Sequence, residues 1–237
     1  MVVAAHDLES LSRVVPEMPD APSAELGSAA LDLLAHPALR RLGEMVPTPQ
    51  EEEAPAWSHR MLAGRLCELS AQQDGALLSA AMSVVLDAQR AGDPVAWVSA
   101  TSALFFPPDA AACGVDLSAV VVVRTRDGRT AGRAADVLLR SGAYGLVVLD
   151  LGTSAAMPTP LQGRLVQLAL KHDSAVLCLT DKGADEASLG SLVSLRGQVA
   201  RRRVPGGFAC SIRALKDKRR GPGWRWQEVC RGPDGLH

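Results

Sequence analysis

The sequence predicts an α/β fold in which helices sandwich a mostly parallel sheet that antiparallel C-terminal strands extend at one edge. Three observations predict it. Between Arg65 and Thr180, short apolar runs alternate with helical segments that glycines close. Of the 237 residues, 47% are hydrophobic but only 3% aromatic, so the core is aliphatic and a sizeable one can be buried. Beyond Lys182 the helical segments stop while strand-like runs continue.

Residues 1–27, rich in Pro, Ala, Ser and acids, read as a loose arm with one short helix at Leu8–Val15. Ala29–Met45 reads as amphipathic helix, with Leu31, Leu34, Ala38 and Leu42 on one face and a kink or break at Pro37. Pro47–Pro55 is a linker. The expected division is an N-terminal arm, helix and linker over 1–55, a core over 56–200, and basic C-terminal strands and tail over 201–237.

Arg65–Leu69 is the first expected strand, and Gly75–Ala91 the helix after it, stopped by Gly92 and Pro94. Val95–Ala100 is a strand, Ala110–Cys113 a short helix, and Val120–Val123 an all-valine strand of the kind found buried in parallel sheets. Thr130–Ser141 is a helix ended by Gly142. Leu146–Asp150 is a buried strand, Leu161–His172 a helix, and Ala175–Thr180 a further strand. Leu192–Val199, Phe208–Lys216 and Trp224–Cys230 follow as strands without helices, which antiparallel extension of the sheet edge explains.

The formal net charge of -1 hides an asymmetry. The N-terminal quarter is acidic and ends in Glu51-Glu52-Glu53. From Arg196 to Arg231 the chain is basic, with Arg201, Arg202, Arg203, Arg213, Lys216, Lys218, Arg219, Arg220 and Arg225 against Asp217 and Glu228. That split fits an anionic partner or a solvated basic surface. No apolar run nears the ~20 residues that span a bilayer, and no signal peptide is expected at the start. Cys67, Cys113, Cys178, Cys210 and Cys230 form no CxxC pair and no metal-ligand spacing with His. Cys67 and Cys178, inside apolar runs, read as small hydrophobes. The scattered His6, His36, His59, His172 and His237 suit no acid–base motif.

In an open α/β sheet, ligands bind beyond the C-terminal ends of the strands. Asp150 closes an apolar strand there, where a magnesium–nucleotide site would hold its metal. Such a site also needs a phosphate cradle after the first strand, with glycines, a Lys and a Ser or Thr. The sequence offers Ser70-Ala71-Gln72-Gln73-Asp74-Gly75-Ala76-Leu77-Leu78. Gly75 is its one glycine. Asp74 would repel phosphates, and Leu77 and Leu78 stand where Lys and Ser/Thr belong. Tight ATP binding is not expected. Phe105-Phe106-Pro107-Pro108 makes an apolar loop beside this site, suited to filling it or to an interface.

Several motifs, in order and spacing, resemble the ATPase core of RecA over Gly64 to about Lys182, roughly half of the chain. They are Gly64-Arg65-Leu66-Cys67-Glu68-Leu69, Ala88-Gln89-Arg90-Ala91-Gly92, Val98–Leu104, Gly114-Val115-Asp116-Leu117, Arg140-Ser141-Gly142-Ala143 and Leu161-Gln162-Gly163-Arg164-Leu165. The departures fall on the chemistry. Thr101 matches the family's catalytic Glu, Leu77 and Leu78 its Walker Lys and Thr, and Lys182 the glutamine that senses the γ-phosphate. Asp150 alone survives, so the resemblance implies a vestigial nucleotide site at Gly75 and Asp150 and no hydrolysis. Lys216-Asp217-Lys218 resembles the strand whose lysines reach the neighbouring subunit's nucleotide in the family's filaments. Arg219-Arg220-Gly221-Pro222-Gly223 is similar to a stretch of RadA proteins.

The lost ATPase residues, short chain and KDKRRGPG segment together resemble the ImuA family of RecA paralogues. That resemblance implies a cytoplasmic, non-catalytic adaptor or regulator of SOS-induced translesion synthesis, with RecA, ImuB, an error-prone DNA polymerase and single-stranded DNA as partners, and no cofactor or metal. The candidate residues for a RecA interface or DNA contact are Lys216, Lys218, Arg219, Arg220, Arg201, Arg202 and Arg203. Two alternatives stand beside it. One is a RecA/RadA-like DNA-dependent ATPase with an atypical phosphate loop. The other is a sequence-independent DNA-binding protein using its basic end, with Trp224 and Trp226 either stacking bases or packing on the core.

Overall fold

The computed structural model describes residues 56–72, 76–100, 105–153 and 155–230. The expected arm, helix and linker over 1–55 lie outside them, as do Gly75 and Thr101. The strands are β1 (Arg65–Ala71), β2 (Val95–Ser99), β3 (Val120–Arg124), β4 (Leu146–Gly152), β5 (Ala175–Asp181), β6 (Leu195–Val204), β7 (Gly207–Asp217) and β8 (Arg225–Cys230). The helices are α1 (His59–Leu62), α2 (Leu77–Arg90), α3 (Pro107–Ala112), α4 (Gly128–Arg140) and α5 (Thr159–His172). β6 runs unbroken, so the division expected between residues 200 and 201 falls within one strand.

One eight-stranded sheet has the order β3-β2-β4-β5-β1-β6-β7-β8. Pairing is parallel from β3 across to β6 and antiparallel for β6–β7 and β7–β8. This is the expected fold class. Alternation sends successive side chains to opposite faces. Cys67, Leu69, Trp97, Val148, Leu177 and Leu179 join one core under α2. Leu66, Val98, Leu149, Val176 and Cys178 join the other with Ala131, Ala135 and Leu139 of α4 and Leu165 of α5. Cys67 and Cys178 are fully buried, and burial drives both thiols up, Cys67 to about 12, as inert core positions require.

Local chemistry sets the helix ends. The Asp127 side chain accepts from Thr130 N at 2.7 Å and caps α4. Pro107 and Pro108 occupy the first turn of α3, where a missing N–H costs nothing, so this helix starts earlier than the expected Ala110. The valine run corrects an expectation. β3 is an edge strand paired to β2 alone, and Val121 and Val122 are 44% and 40% exposed. Four valines in a row suit a strand with one neighbour as well as one with two, and only the topology separates them.

Candidate functional site

The C-terminal ends of β1, β2, β4 and β5 share one edge of the sheet. Asp150 sits there, opposite Ser99 on β2 and Leu179 on β5. It is 7% exposed, and burial pushes its pKa up to about 6. The Trp97 indole pulls the other way, although its buried N–H makes no hydrogen bond of ordinary geometry. Ser99 Oγ, also buried, has no partner among the described residues. Apolar groups crowd the same face. Phe105 is buried with its ring centroid 5.3 Å from that of Trp97, and Leu77 packs on this core, while Phe106 and Leu78 are exposed. Phe105 thus fills inward, and Phe106 points to solvent.

Lys182, matched to the γ-phosphate sensor, is already engaged. Its Nζ lies 3.4 Å from Glu68 Oε1 and donates to Ala187 O at 3.3 Å. Glu68 is fully buried in β1 and also accepts from Thr180 Oγ1 at 2.9 Å, and from Ser188 Oγ and Leu189 N at 2.8 Å each. Arg196 is buried beside it and donates to Gly183 O at 2.7 Å, Ser70 Oγ at 3.3 Å and Glu186 O. Gln162 of α5 holds Leu189 O at 3.1 Å. Residues 182–194 are therefore tied to β1, β6 and α5. A carboxylate in an otherwise apolar strand was the one sign of this anchor in the sequence, and its partners lie more than 100 positions away.

On β7, where Lys216 is in register with Arg196, Lys216 Nζ and Lys218 Nζ converge on Ser191 O of the 182–194 segment at 3.2 and 2.9 Å. Burial and the Lys218 charge hold the Lys216 pKa below its ordinary value, while Glu68 works against them. Between these lysines Asp217 is buried and pairs with Arg65 at 2.6 Å. It also accepts from Arg219 N at 2.9 Å and Trp224 Nε1 at 3.0 Å, which fixes the turn after β7. Arg219 and Arg220 diverge from the lysines. They line a cleft of about 340 Å³ with Arg60 and Arg65, and Arg219 Nη2 donates to Ala63 O at 3.2 Å.

The triplet Arg201-Arg202-Arg203 does not form one patch, which corrects its reading as a unit. Arg201 and Arg203 share a face with Val199, and the Arg201 guanidinium lies 4.5 Å from the Phe208 ring centroid. Arg202 alone takes the other face. Trp224 and Trp226 pack against the core under α2, so they meet the protein interior rather than offering an open stacking platform. No group of His, Cys, Asp and Glu suited to a metal occurs among the described residues.

These features define an α/β core of RecA-like fold. In sequence the chain is similar to RecA of Salinispora arenicola, 34% identical over 129 residues, a match covering 49% of this chain and 36% of that protein. RecA of Deinococcus radiodurans is 33% identical over 135 residues, covering 51% and 36%. The match thus spans little more than a third of the length of these relatives. Among solved structures, the crystal structure of the RadB recombinase is similar in fold, with a TM-score of 0.55 and 15% identity over 71% of this chain and 88% of that one. No protein-family model matches the sequence. Among the described residues no helix is long and apolar enough to cross a membrane.

Proposed function

We propose that this chain is a non-hydrolysing RecA-like adaptor of SOS-induced translesion DNA synthesis, of the ImuA type. It acts in the cytoplasm, docks on RecA to cap or limit its filaments, and serves ImuB and an error-prone DNA polymerase. The observation that carries the reading is the difference between two places, the strand ends around Asp150 and Lys182 and the lysines of β7. At one, Lys182 is bound to Glu68 and apolar side chains pack beside Asp150. In sequence, Leu77, Leu78 and Thr101 stand where the RecA resemblance expects the residues that stabilise charge and activate water in phosphoryl transfer. At the other, Lys216 and Lys218 persist, each held by a single carbonyl that a phosphate would outbid. A subunit with that asymmetry joins a filament end through its lysines and offers no nucleotide face to the next subunit.

RecA filament growth on single-stranded DNA with ATP tests this, with the chain added in sub-stoichiometric amounts. Growth falls at low ratios with the wild type, and a Lys216→Ala/Lys218→Ala variant restores it. Equal inhibition by that variant, or no effect of the wild type on RecA, refutes the docking.

A further inference from the structure

The open face of the C-terminal strands carries cations and no carboxylate. Alternation along β6 puts Gln198, Ala200 and Arg202 on the face away from Val199 and Arg201. Register extends that face across the hairpins. Gln198 lies opposite Arg213, and Arg213 opposite Arg225. Ala200 lies opposite Ser211, and Arg202 opposite Ala209. Arg202, Arg213 and Arg225 are all exposed, and none has an ion-pair partner among the described residues. A register shift beside Arg196 leaves Leu215 unpaired and returns Lys216 to this same face, opposite Arg196. Of the nearby carboxylates, Glu68 lies in register with Arg196 but is buried in β1 and engaged by Lys182. Asp217 is buried on Arg65, and Glu228 pairs with Cys210 on the other side of the sheet.

Like charges directly opposite on neighbouring strands destabilise a sheet, and Arg213 faces Arg225 in that way. We propose that this face binds the phosphate backbone of nucleic acid. Guanidinium forks match phosphate oxygens and stay charged at every working pH. Ala200, Ala209 and Ser211 are short, which keeps the ground between the arginines flat. No aromatic side chain projects here, since Phe208 and Trp226 belong to the core on the opposite face. The contact therefore grips backbone without stacking bases and does not depend on sequence. An acidic protein partner fits less well, because a protein interface centres on buried apolar anchors and Val229 and the half-buried Val204 are the large apolar side chains in these rows. Lys216 borders this face, but Arg202, Arg213 and Arg225 are separate positions from the Lys216–Lys218 pair and can be varied without altering it.

The test uses the full chain without RecA and a labelled polythymidine strand, titrated across ~50–200 mM salt. The wild type binds, with log affinity falling linearly in log salt. Arg202→Ala/Arg213→Ala/Arg225→Ala flattens that slope by about 2, at ~0.7 per lost phosphate contact on a single strand. It weakens binding to mixed sequences equally, and its Tm stays level or rises because the Arg213–Arg225 repulsion is gone. Arg225→Ala alone, on the outermost strand, gives about a third of the slope change and guards against a folding defect in the triple variant. An unchanged slope in both variants, no oligonucleotide binding by the wild type, or binding to polyglutamate in its place overturns the proposal. Because RecA is absent, failure here leaves the RecA-docking result separately readable.

Discussion

Asp217→Ala is the most informative single perturbation of the lysine-bearing end. The Asp217 side chain is fully buried, the Arg65 side chain is 3% exposed, and the two meet at 2.6 Å. At that separation and an effective dielectric near 20, their attraction is about 6 kcal/mol, and desolvation of both ions offsets most of it. Truncating one partner does not return that desolvation. Arg65 would stay buried with neutral acceptors only, Ser194 Oγ at 2.7 Å, Ser194 O at 3.1 Å and Met61 O at 3.5 Å. The expected loss is about 3–5 kcal/mol. The N–H groups of Arg219 and Trp224 also lose their acceptor, but water reaches both residues and limits that addition. Urea unfolding at neutral pH measures the loss, and the Arg65→Met/Asp217→Leu variant completes a cycle. The double change should cost far less than Asp217→Ala. Burial raises the Asp217 pKa, but the Arg219 N–H, Arg65 and Trp224 together outweigh it and hold it below the ordinary range. The pair's contribution is therefore complete above the unfolded carboxylate pKa of ~3.9 and disappears as pH falls through the lower folded value. A loss under ~1 kcal/mol for Asp217→Ala, or single losses that simply add in the double variant, would refute this reasoning.

Two further predictions concern the strand ends around Asp150 and Lys182. Asp150 is raised to about 6 by burial, a shift near two units that makes its ionisation cost the fold ~3 kcal/mol. Wild-type stability should fall as pH rises from ~4 through 6, and Asp150→Asn should remove that fall and be the more stable protein at neutral pH; parallel pH–stability curves for the two would contradict it. Glu68→Ala removes the acceptor shared by Thr180, Lys182, Ser188 and Leu189. Hydrogen exchange at residues 183–194 should then quicken selectively, whereas protection equal to wild type would mean that Arg196, Gln162, Arg65 and the lysines of β7 suffice to hold the segment.

Much of the fold was legible because β2 and β4 are apolar almost throughout and α2, α3 and α4 end at glycines, so period and punctuation agreed, while α5 closes on Asp173 with positive φ. The place of β3 was not, since four valines carry no sign of how many neighbours flank them. The basic end was legible as charge but not as surface. Arg201-Arg202-Arg203 looks like one patch in sequence, yet strand alternation sends Arg202 away from its neighbours. Conversely, Arg213 and Lys216 are three apart and should face opposite sides of a regular strand, but the extra residue at Leu215 puts them on the same one. Parity along a strand survives only while pairing is regular, and a bulge is set by the partner strand, which local sequence does not display.

The strand ends around Lys182 and the C-terminal strands also differ in how firmly their charges are committed. At the nucleotide edge, Lys182 and Arg196 are both engaged by protein acceptors on β1 and the 182–194 segment. Filling a RecA-like pocket with phosphates would require breaking the Lys182–Glu68 contact and leaving Glu68 buried with less than its full set of donors, a cost that grows with burial. On the C-terminal strands, Arg202, Arg213 and Arg225 have no ion pair among the described residues to break before they meet an anion. The chain's available positive charge has thus moved from the place where a RecA-like core would hold its own nucleotide to surfaces that can meet phosphates belonging to another molecule. Under the proposed reading such a protein acts through association, and measurements of binding and of ATP hydrolysis together discriminate between the readings of this fold.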